Sequence, residues 1–173
     1  MRKLQLLLIT LFWGTCVFGQ VEIHYDVDSL INVLETEERT PVEQFELSRK
    51  IRNYYRQSDV DKFLQYAGRG LSIAKKEKDK KIQYKMYDLA YEELGLGHTF
   101  KGNYDTALIY FDKALEYANK IDDKGIYSIY LHKGAVYYQQ NKYNATLECL
   151  QKALSFCEET DDKDMEIRIL TNI

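Results

Sequence analysis

Proline is nearly absent from this chain, which has one proline and nine glycines among its 173 residues. That composition argues against a disordered chain and against a β fold with many tight turns. The length fits a single domain. Strong positive charge is also lacking, because the formal net charge is −3. This weak acidic balance gives no support for nucleic-acid binding, which requires a basic face.

Cysteine is scarce as well, and the three cysteines predict no disulfide. Cys16 lies in an N-terminal segment that we expect to be removed. Cys149 and Cys157 fall in one predicted helix, at a separation that places their Cα atoms about 12 Å apart. A disulfide requires Cα atoms within about 7 Å. We therefore interpret both as small apolar packing residues.

A long apolar run is missing, because the N-terminal apolar stretch ends at Phe12. Arg2 and Lys3 precede that stretch, and Val17-Phe18-Gly19 places small residues ahead of a cleavage point. The pattern predicts a secretory signal peptide over residues 1–19. The stretch is too short to anchor a chain in a bilayer. We expect export to the periplasm or cell envelope and no membrane span in this chain.

What the sequence has instead is a pattern that occurs twice at a constant offset of 39 residues. The matching pairs are Gly95 and Gly134, Tyr104 and Tyr143, and Ala114 and Ala153. A period of a few tens of residues is typical of stacked helical hairpins, each of which buries its apolar face against its neighbours. No β pattern occurs. The sequence predicts an all-α fold of antiparallel helical hairpins stacked as an α-solenoid.

The repeats are expected to occupy residues 41–173, after a lead-in over residues 20–40 that contains one short helix. The expected units are about 41–79, 80–121 and 124–159, with an incomplete unit from about 163. Thr40-Pro41 followed by Glu43 marks the first hairpin, because Thr40 can cap a helix, Pro41 suits its first position and Glu43 completes a capping box. The chain is expected to break again at Gly102-Asn103 and at Asn141.

The last ten residues predict the start of one more helix. Met165, Ile169, Leu170 and Ile173 form an apolar stripe at helical spacing, and no C-cap glycine follows them. Helical arrays need an end helix with a polar outer face. We therefore expect the natural reading frame to continue into at least one more repeat, and the isolated chain to fray or self-associate at this end.

The spacing resembles that of the tetratricopeptide repeat (TPR) family, whose repeats stack into a right-handed superhelix. The residues that match the family pattern are Tyr91, Leu94, Gly95, Gly102, Tyr104, Ala107, Phe111, Ala114 and Leu115. His98 stands where the family usually has tyrosine, and the usual proline after the second helix is absent. The next hairpin matches at Tyr130, Gly134, Tyr137, Tyr143 and Ala153, and these aromatic residues are expected to fill gaps beside the small ones.

The resemblance implies that the first helix of each hairpin lines a concave groove that binds a peptide or a helix from a protein partner. By register, the expected groove residues are Arg52, Tyr55, Arg56, Glu92, Leu96, Thr99, Phe100, Leu131, Tyr138 and Gln139, together with Ser48, Ser128 and Ala135. The alternative is that some of them pack against an adjacent helix.

Catalytic and cofactor-binding patterns are not found. No Ser/His/Asp set can be assembled, the histidines lack the spacing of a metal pair, and His98 is expected to pack. Gly68-Arg69-Gly70 and Gly95-Leu96-Gly97 lack the strand and the third glycine of a phosphate loop, so we assign them to helix packing. Glu92-Glu93 is expected to be solvated surface. No cofactor and no metal are expected.

These observations predict an exported, non-enzymatic protein–protein interaction module. An export signal followed by long-period repeats also resembles the N-terminal regions of bacterial sensor histidine kinases and of membrane-bound regulators, which suggests the input part of a signalling protein. Two alternatives stay open: a structural scaffold in a larger envelope assembly, and an enzyme with an unrecognised site.

The predicted signal peptide leads to the first testable prediction. Cleavage after Gly19 should give an exported chain that begins at Gln20, because the small residues before that point suit signal peptidase. N-terminal sequencing of the protein recovered from the cell envelope measures this directly. Recovery of a cytosolic product that retains Met1 would contradict it.

Overall fold

The computed structural model describes residues 26–123 and 125–160, with the side chains of the last two of these left out. Over these residues the chain forms seven α-helices and no β-strand. Their bounds are α1 Val27–Thr36, α2 Pro41–Tyr55, α3 Val60–Ala74, α4 Lys80–Phe100, α5 Tyr104–Lys120, α6 Ile126–Gln139 and α7 Tyr143–Thr160. The predicted all-α fold is confirmed. The predicted signal peptide and the predicted helix from Asp164 lie outside the described residues.

The first hairpin begins where the local sequence predicts. Glu43 N donates to Thr40 Oγ1 at 3.3 Å, and Thr40 N donates to the Glu43 carboxylate at 2.9 Å, which completes the capping box. These hydrogen bonds hold the pKa of Glu43 below its usual value. Asp59 and Asp79 cap α3 and α4 with one hydrogen bond each: Asp59 Oδ1 accepts from Lys62 N, and Asp79 Oδ1 accepts from Ile82 N. The starts of α2, α3 and α4 are therefore set by residues adjacent to them.

The turns inside the second and third hairpins are built alike. Gly102 and Asn141 both adopt positive φ, of 73° and 58°. The hydrogen bonds that close the two turns run from Asn103 N to His98 O and from Lys142 N to Tyr137 O, each at 2.9 Å. This is the C-terminal motif in which a left-handed residue ends a helix, a position that suits glycine and tolerates asparagine. Both predicted break points are confirmed.

Each helix packs on the next one in the chain, and α4 also meets α6. The apolar core follows this order as separate clusters rather than one centre. The first cluster joins α1 to α3 and includes Ile51 and Phe63, and the second joins α2 to α4 and includes Phe45 and Met86. The third joins α4 to α6 and includes Phe111 and Ile129, and the fourth joins α6 and α7 and includes Ala153 and Cys157. A core divided in this way is the arrangement of an α-solenoid.

Small residues set the distance between α4 and α5. A Cβ atom placed on Gly95 would lie 2.5 Å from the ring of Phe111, closer than carbon atoms approach. Ala107 and Ala114 on α5 are fully buried. These contacts confirm the packing role expected for Gly95. The same expectation is wrong for Gly68, since nothing lies within 4 Å of a Cβ placed there.

Tyr143 does not fill a gap, although the repeat pattern predicts that it does. Its side chain is exposed, whereas the equivalent Tyr104 packs partly buried against the cluster that contains α6 residues. The Tyr143 ring lies instead edge to face against the exposed ring of Tyr138. Cys149 and Cys157 are both buried, as expected for small apolar packing residues.

Two glycine substitutions test this packing. Gly68→Ala should raise the free energy of unfolding by about 0.5–1 kcal/mol, because alanine favours the helix and meets open space. Gly95→Ala should lower it by about 1–3 kcal/mol, because the added carbon meets the Phe111 ring. Urea unfolding of both variants measures the difference. Equal effects of the two substitutions would contradict the close contact of α4 and α5.

Candidate interaction surface

Polar side chains join the first helices of the three hairpins, α2, α4 and α6. The guanidinium of Arg52 on α2 lies 2.8 Å from a carboxylate oxygen of Glu93 on α4. On the opposite side, Glu92 accepts a hydrogen bond from Ser128 Oγ at 2.8 Å, and its carboxylate lies 3.1 Å from His132 Nδ1. Helix α4 is thereby tied to both neighbouring first helices.

The Arg52–Glu93 pair is largely removed from water, with 4% and 16% of the two side chains exposed. Arg52 also donates to Asn53 Oδ1 at 2.8 Å, and its guanidinium lies over the ring of Phe63. Burial lowers the pKa of Arg52 to about 10 although Glu93 opposes the change, and burial raises the pKa of Glu93 although Arg52 opposes it. Each charge is therefore tolerated because the other is present.

Glu92 is held as a carboxylate by α6. Burial acts to raise its pKa, but the hydrogen bonds from His132 and Ser128 and the proximity of His132 keep that pKa below its usual value. The His132 ring also stacks on Phe111, with ring centroids 5.8 Å apart. The expectation that Glu92-Glu93 is solvated surface is therefore wrong. Adjacent residues on a helix point apart, and here each points at a different neighbouring helix.

A third polar cluster lies nearer the start of α4. Lys85 forms ion pairs with Asp88 on the same helix and with Asp123 in the turn after α5. Burial raises the pKa of Asp88 to about 7, while Lys85 opposes the shift. Asp123 also accepts a hydrogen bond from Gly125 N at 2.9 Å. The cluster fastens α4 to the turn that leads into α6.

The predicted groove residues divide by exposure. Five are exposed. Ala135 lies before the last turn of α6, and the other four lie in or directly after the last turn of the first helices: Arg56, Phe100, Tyr138 and Gln139. We call these four residues the rim. Phe100 is 45% exposed and Tyr138 is 59% exposed, and Tyr54, Ile109 and Tyr143 elsewhere are exposed to a similar degree.

Three predicted groove residues are in the core, which corrects the prediction for them. Arg52 is 3% exposed and Tyr55 is 8% exposed. Arg52 is covered because it pairs with Glu93. Tyr55 is covered because its ring stacks on Tyr66 of α3, with centroids 6.1 Å apart. Ser48 is likewise buried, and its hydroxyl donates to Tyr66 O.

The remaining predicted groove residues apart from Ala135 are half-buried, as the alternative of packing on an adjacent helix requires. Leu96 contacts two of the core clusters, and Leu131 packs on the cluster of α6 and α7. The hydroxyl of Thr99 donates to Gly95 O at 2.9 Å. With Glu92, these side chains form the inner boundary of the rim and offer little free surface of their own.

Ring contacts hold the aromatic side chains of the rim in place. Phe100 meets the buried Phe63 edge to face, with centroids 5.8 Å apart, and the Arg56 guanidinium lies 5.9 Å from the Phe100 ring. Tyr138 meets Tyr143 edge to face at 6.0 Å. The rim therefore presents side chains whose positions are already fixed by neighbours.

A ladder of aromatic rings along α4 and α5 is a feature that sequence reasoning missed. It consists of Tyr84, Tyr87, Tyr91, His98, Tyr110 and Tyr117, with neighbouring centroids 4.8–6.2 Å apart. Lys113 and Lys120 lie over these rings. The sequence does contain a pattern that indicates the ladder, because the tyrosines recur at helical spacing on both helices. The ladder includes His98, whose expected packing role is confirmed.

The carboxylates with shifted pKa values do not all meet at one place in the described part of the chain. Glu92 and Glu93 contact different neighbouring helices, whereas Asp88 and Asp123 share Lys85. The cavity next to this region, about 460 Å³, is lined by Lys81, Ile82, Lys85, Ile121, Asp122 and Asp123. No three His, Cys, Asp or Glu side chains in the described part are grouped to hold a metal ion.

Residues 128–160 match the tetratricopeptide repeat family. No curated protein matches the chain. The crystal structure of BtubC (BKLC) from P. vanneervenii is similar to 76% of this chain, with a TM-score of 0.63 and 17% sequence identity. The chain spans 53% of that structure's chain, about half of it. At this identity the likeness shows the fold alone, and it supports the TPR-like α-solenoid. Within the described helices, none is long and apolar enough to cross a membrane.

The buried Arg52–Glu93 ion pair between α2 and α4 leads to a prediction about the stability of the fold. Arg52→Met and Glu93→Leu should each cost about 3–5 kcal/mol of unfolding free energy, because each leaves an unpaired buried charge. The double variant should be more stable than either single variant, since it removes both charges. Urea unfolding of the three variants measures this.

The matched control is the exposed ion pair of Lys101 and Asp61, in which 82% of the Asp61 side chain is exposed. Asp61→Asn should cost less than about 1 kcal/mol, because water screens that pair. Additive losses in the Arg52→Met/Glu93→Leu double variant would show that the two charges do not depend on each other.

Proposed function

We propose that this protein is an exported, non-enzymatic interaction module that binds a segment of a partner protein along the rim. The TPR repeat is a protein–protein interaction module, and residues 128–160 match it. The position of the binding surface is supported by the exposure of Arg56, Phe100, Tyr138 and Gln139 on successive first helices.

The single observation that carries the proposal is the contrast between the rim and the rest of the first helices. In the middle of these helices, Arg52, Glu92 and Glu93 are engaged in contacts between helices, and Leu96 and Leu131 are packed. At their ends, Phe100 and Tyr138 stay exposed although burial of a large aromatic ring is favourable. An exposed aromatic pair on a rigid scaffold fits recognition better than folding.

A rim of this kind has a thermodynamic advantage for binding. Side chains that are already ordered lose little freedom when a partner arrives, so more of the contact energy appears as affinity. The contacts of Phe100 with Phe63 and of Tyr138 with Tyr143 supply that order. The ion pairs of α4 hold the helices themselves in fixed positions.

Export and a role as the input part of a signalling protein belong to the same proposal. Their support is the pattern of residues 1–19 and the resemblance of exported repeat arrays to sensor regions. In that role, occupancy of the rim would be the signal. A scaffold role predicts instead a constant, stoichiometric partner, which native mass spectrometry of the envelope complex distinguishes from reversible occupancy.

Selection from a displayed library of random peptides tests the rim. The selected peptides should lose affinity at least tenfold, about 1.4 kcal/mol, on Phe100→Ala or Tyr138→Ala, because each substitution removes a central aromatic contact. Fluorescence anisotropy with the selected peptides measures the change. Thermal unfolding should show that both variants remain folded.

Two comparably exposed side chains away from the rim serve as controls, Ile109 on α5 and Leu147 on α7. Ile109→Ala and Leu147→Ala should leave the affinity unchanged. A library that yields no binder, or binders equally sensitive to the control substitutions, would contradict the proposed function.

A further inference from the structure

We infer that the connection between α3 and α4 docks on an anionic lipid bilayer, with four lysines facing the headgroups and Ile82 entering the interface. The lysines, all exposed, are Lys75, Lys76, Lys78 and Lys81, and together with Ile82 we call them the basic face. Ile82 lies at the start of α4, whereas Phe100 of the rim lies at its end, about 27 Å away at a rise of about 1.5 Å per residue. The inference is therefore independent of the proposed function.

The positive charge of the basic face is not balanced by its own neighbours. Residues 75–81 contain five lysines and two acidic residues, and so carry a net charge of +3. Both acidic side chains are turned to the backbone: Glu77 accepts from Lys78 N and Asp79 N, and Asp79 accepts from Ile82 N. Within the described residues, no ion pair involves any of the four lysines of the face. They are available to an anionic partner.

Two of the lysines in this segment stand where positive charge does not help the fold. Lys80 and Lys81 begin α4, and the dipole of a helix favours acidic residues in its first turn. Helices α1, α2, α3 and α5 follow that rule, with Asp28, Glu43, Asp61 and Asp105, whereas the first turn of α4 has no acidic residue. The stability of α4 therefore does not explain these lysines, and attraction of an external anion does.

Hydrogen bonds of one buried side chain hold the connection in shape. The Gln83 amide donates to Ala74 O at 3.0 Å and to Glu77 O at 2.9 Å, and its oxygen accepts from Lys80 Nζ at 2.9 Å. These bonds tie the start of α4 to the end of α3. The backbone that carries the lysines is thus fixed while their side chains extend into solvent, so docking orders little of the chain.

The type of cation favours a bilayer over an acidic protein as the partner. All five cations of residues 75–81 are lysines, and none is arginine. Arginine forms fixed two-point contacts with carboxylates and is enriched in protein interfaces, whereas lysine is a hydrated point charge on a flexible stem and is depleted there. A cluster of lysines suits a diffuse layer of anionic headgroups, to which each basic side chain is attracted separately.

Ile82 supplies an apolar contact beside the charges. It is 43% exposed, and with the half-buried Ile121 it lines the open cavity between the start of α4 and the turn after α5. The strength of docking at a bilayer surface scales with the apolar area that enters the interface plus the attraction to anionic lipids. Asp122 is exposed at the border of the same cavity, and its charge opposes docking.

Co-sedimentation of the full chain with lipid vesicles tests the inference. One set of vesicles contains equal parts of phosphatidylglycerol and phosphatidylcholine, and the other contains phosphatidylcholine alone. The double variant Lys78→Gln/Lys81→Gln removes two charges from the basic face. Its matched control, Lys142→Gln/Lys152→Gln, removes two exposed lysines of the last hairpin, so the two variants have the same net charge and the same residues 1–25. Thermal unfolding verifies that both are folded.

The chain should bind the phosphatidylglycerol vesicles at least about tenfold more tightly than the neutral ones at low salt, and added salt should reduce this preference. Lys78→Gln/Lys81→Gln should remove most of the preference, and the control should retain it. Ile82→Ala should weaken binding several-fold, whereas Ile109→Ala on α5 should not, although Ile109 is 56% exposed. Asp122→Asn should strengthen binding, since asparagine tolerates the φ of 51° at this position.

Equal binding to the two kinds of vesicle, or an equal loss in the two double variants, would overturn the inference. Binding of soluble polyglutamate through Lys78 and Lys81, without any binding to vesicles, would show an acidic protein segment to be the partner. Loss of vesicle binding on Phe100→Ala would place the bilayer at the rim and would also overturn the inference. The proposed function is tested separately, because rim binding of library-selected peptides does not require the basic face.

Discussion

Helix α4 holds two adjacent carboxylates that face opposite ways, and the arrangement of the first helices depends on them. Glu93 reaches back to Arg52 on α2, and Glu92 reaches forward to Ser128 and His132 on α6. A buried charge without its partner is strongly unfavourable. The two contacts therefore fix the register of three hairpins whose apolar clusters alone would leave it less defined, since apolar packing is not directional.

The same contacts decide where the molecule is free to bind. They occupy the middle of the first helices, so the exposed residues of the predicted groove, Ala135 apart, are at the helix ends. The turns after α4 and α6 share one hydrogen-bond pattern, and this repeats the geometry of the helix end from one hairpin to the next. A regular row of exposed side chains, with a cation at one end and tyrosine at the other, is the consequence.

Local signals were sufficient to predict the helices. Thr40, Pro41 and Glu43 act on residues next to them, and Gly102 and Asn141 adopt the backbone that ends a helix, so a sequence window contains the whole cause. The burial of Tyr55 and of Glu93 has its cause in Tyr66 and Arg52, which lie on other helices. No spacing within one sequence identifies such partners. Register therefore predicted the exposed Phe100 and Tyr138 correctly and misplaced Arg52 and Tyr55.

NMR of the exported chain with a library-selected peptide tests the central claim most directly, because backbone amide shifts report where the peptide lies. The account predicts that the largest shift changes fall at Arg56, Phe100 and Gln139, with small changes along the exposed side of α5 around Ile109. Changes concentrated on α5, or on the aromatic ladder of α4 and α5, would show that the rim is not the binding surface.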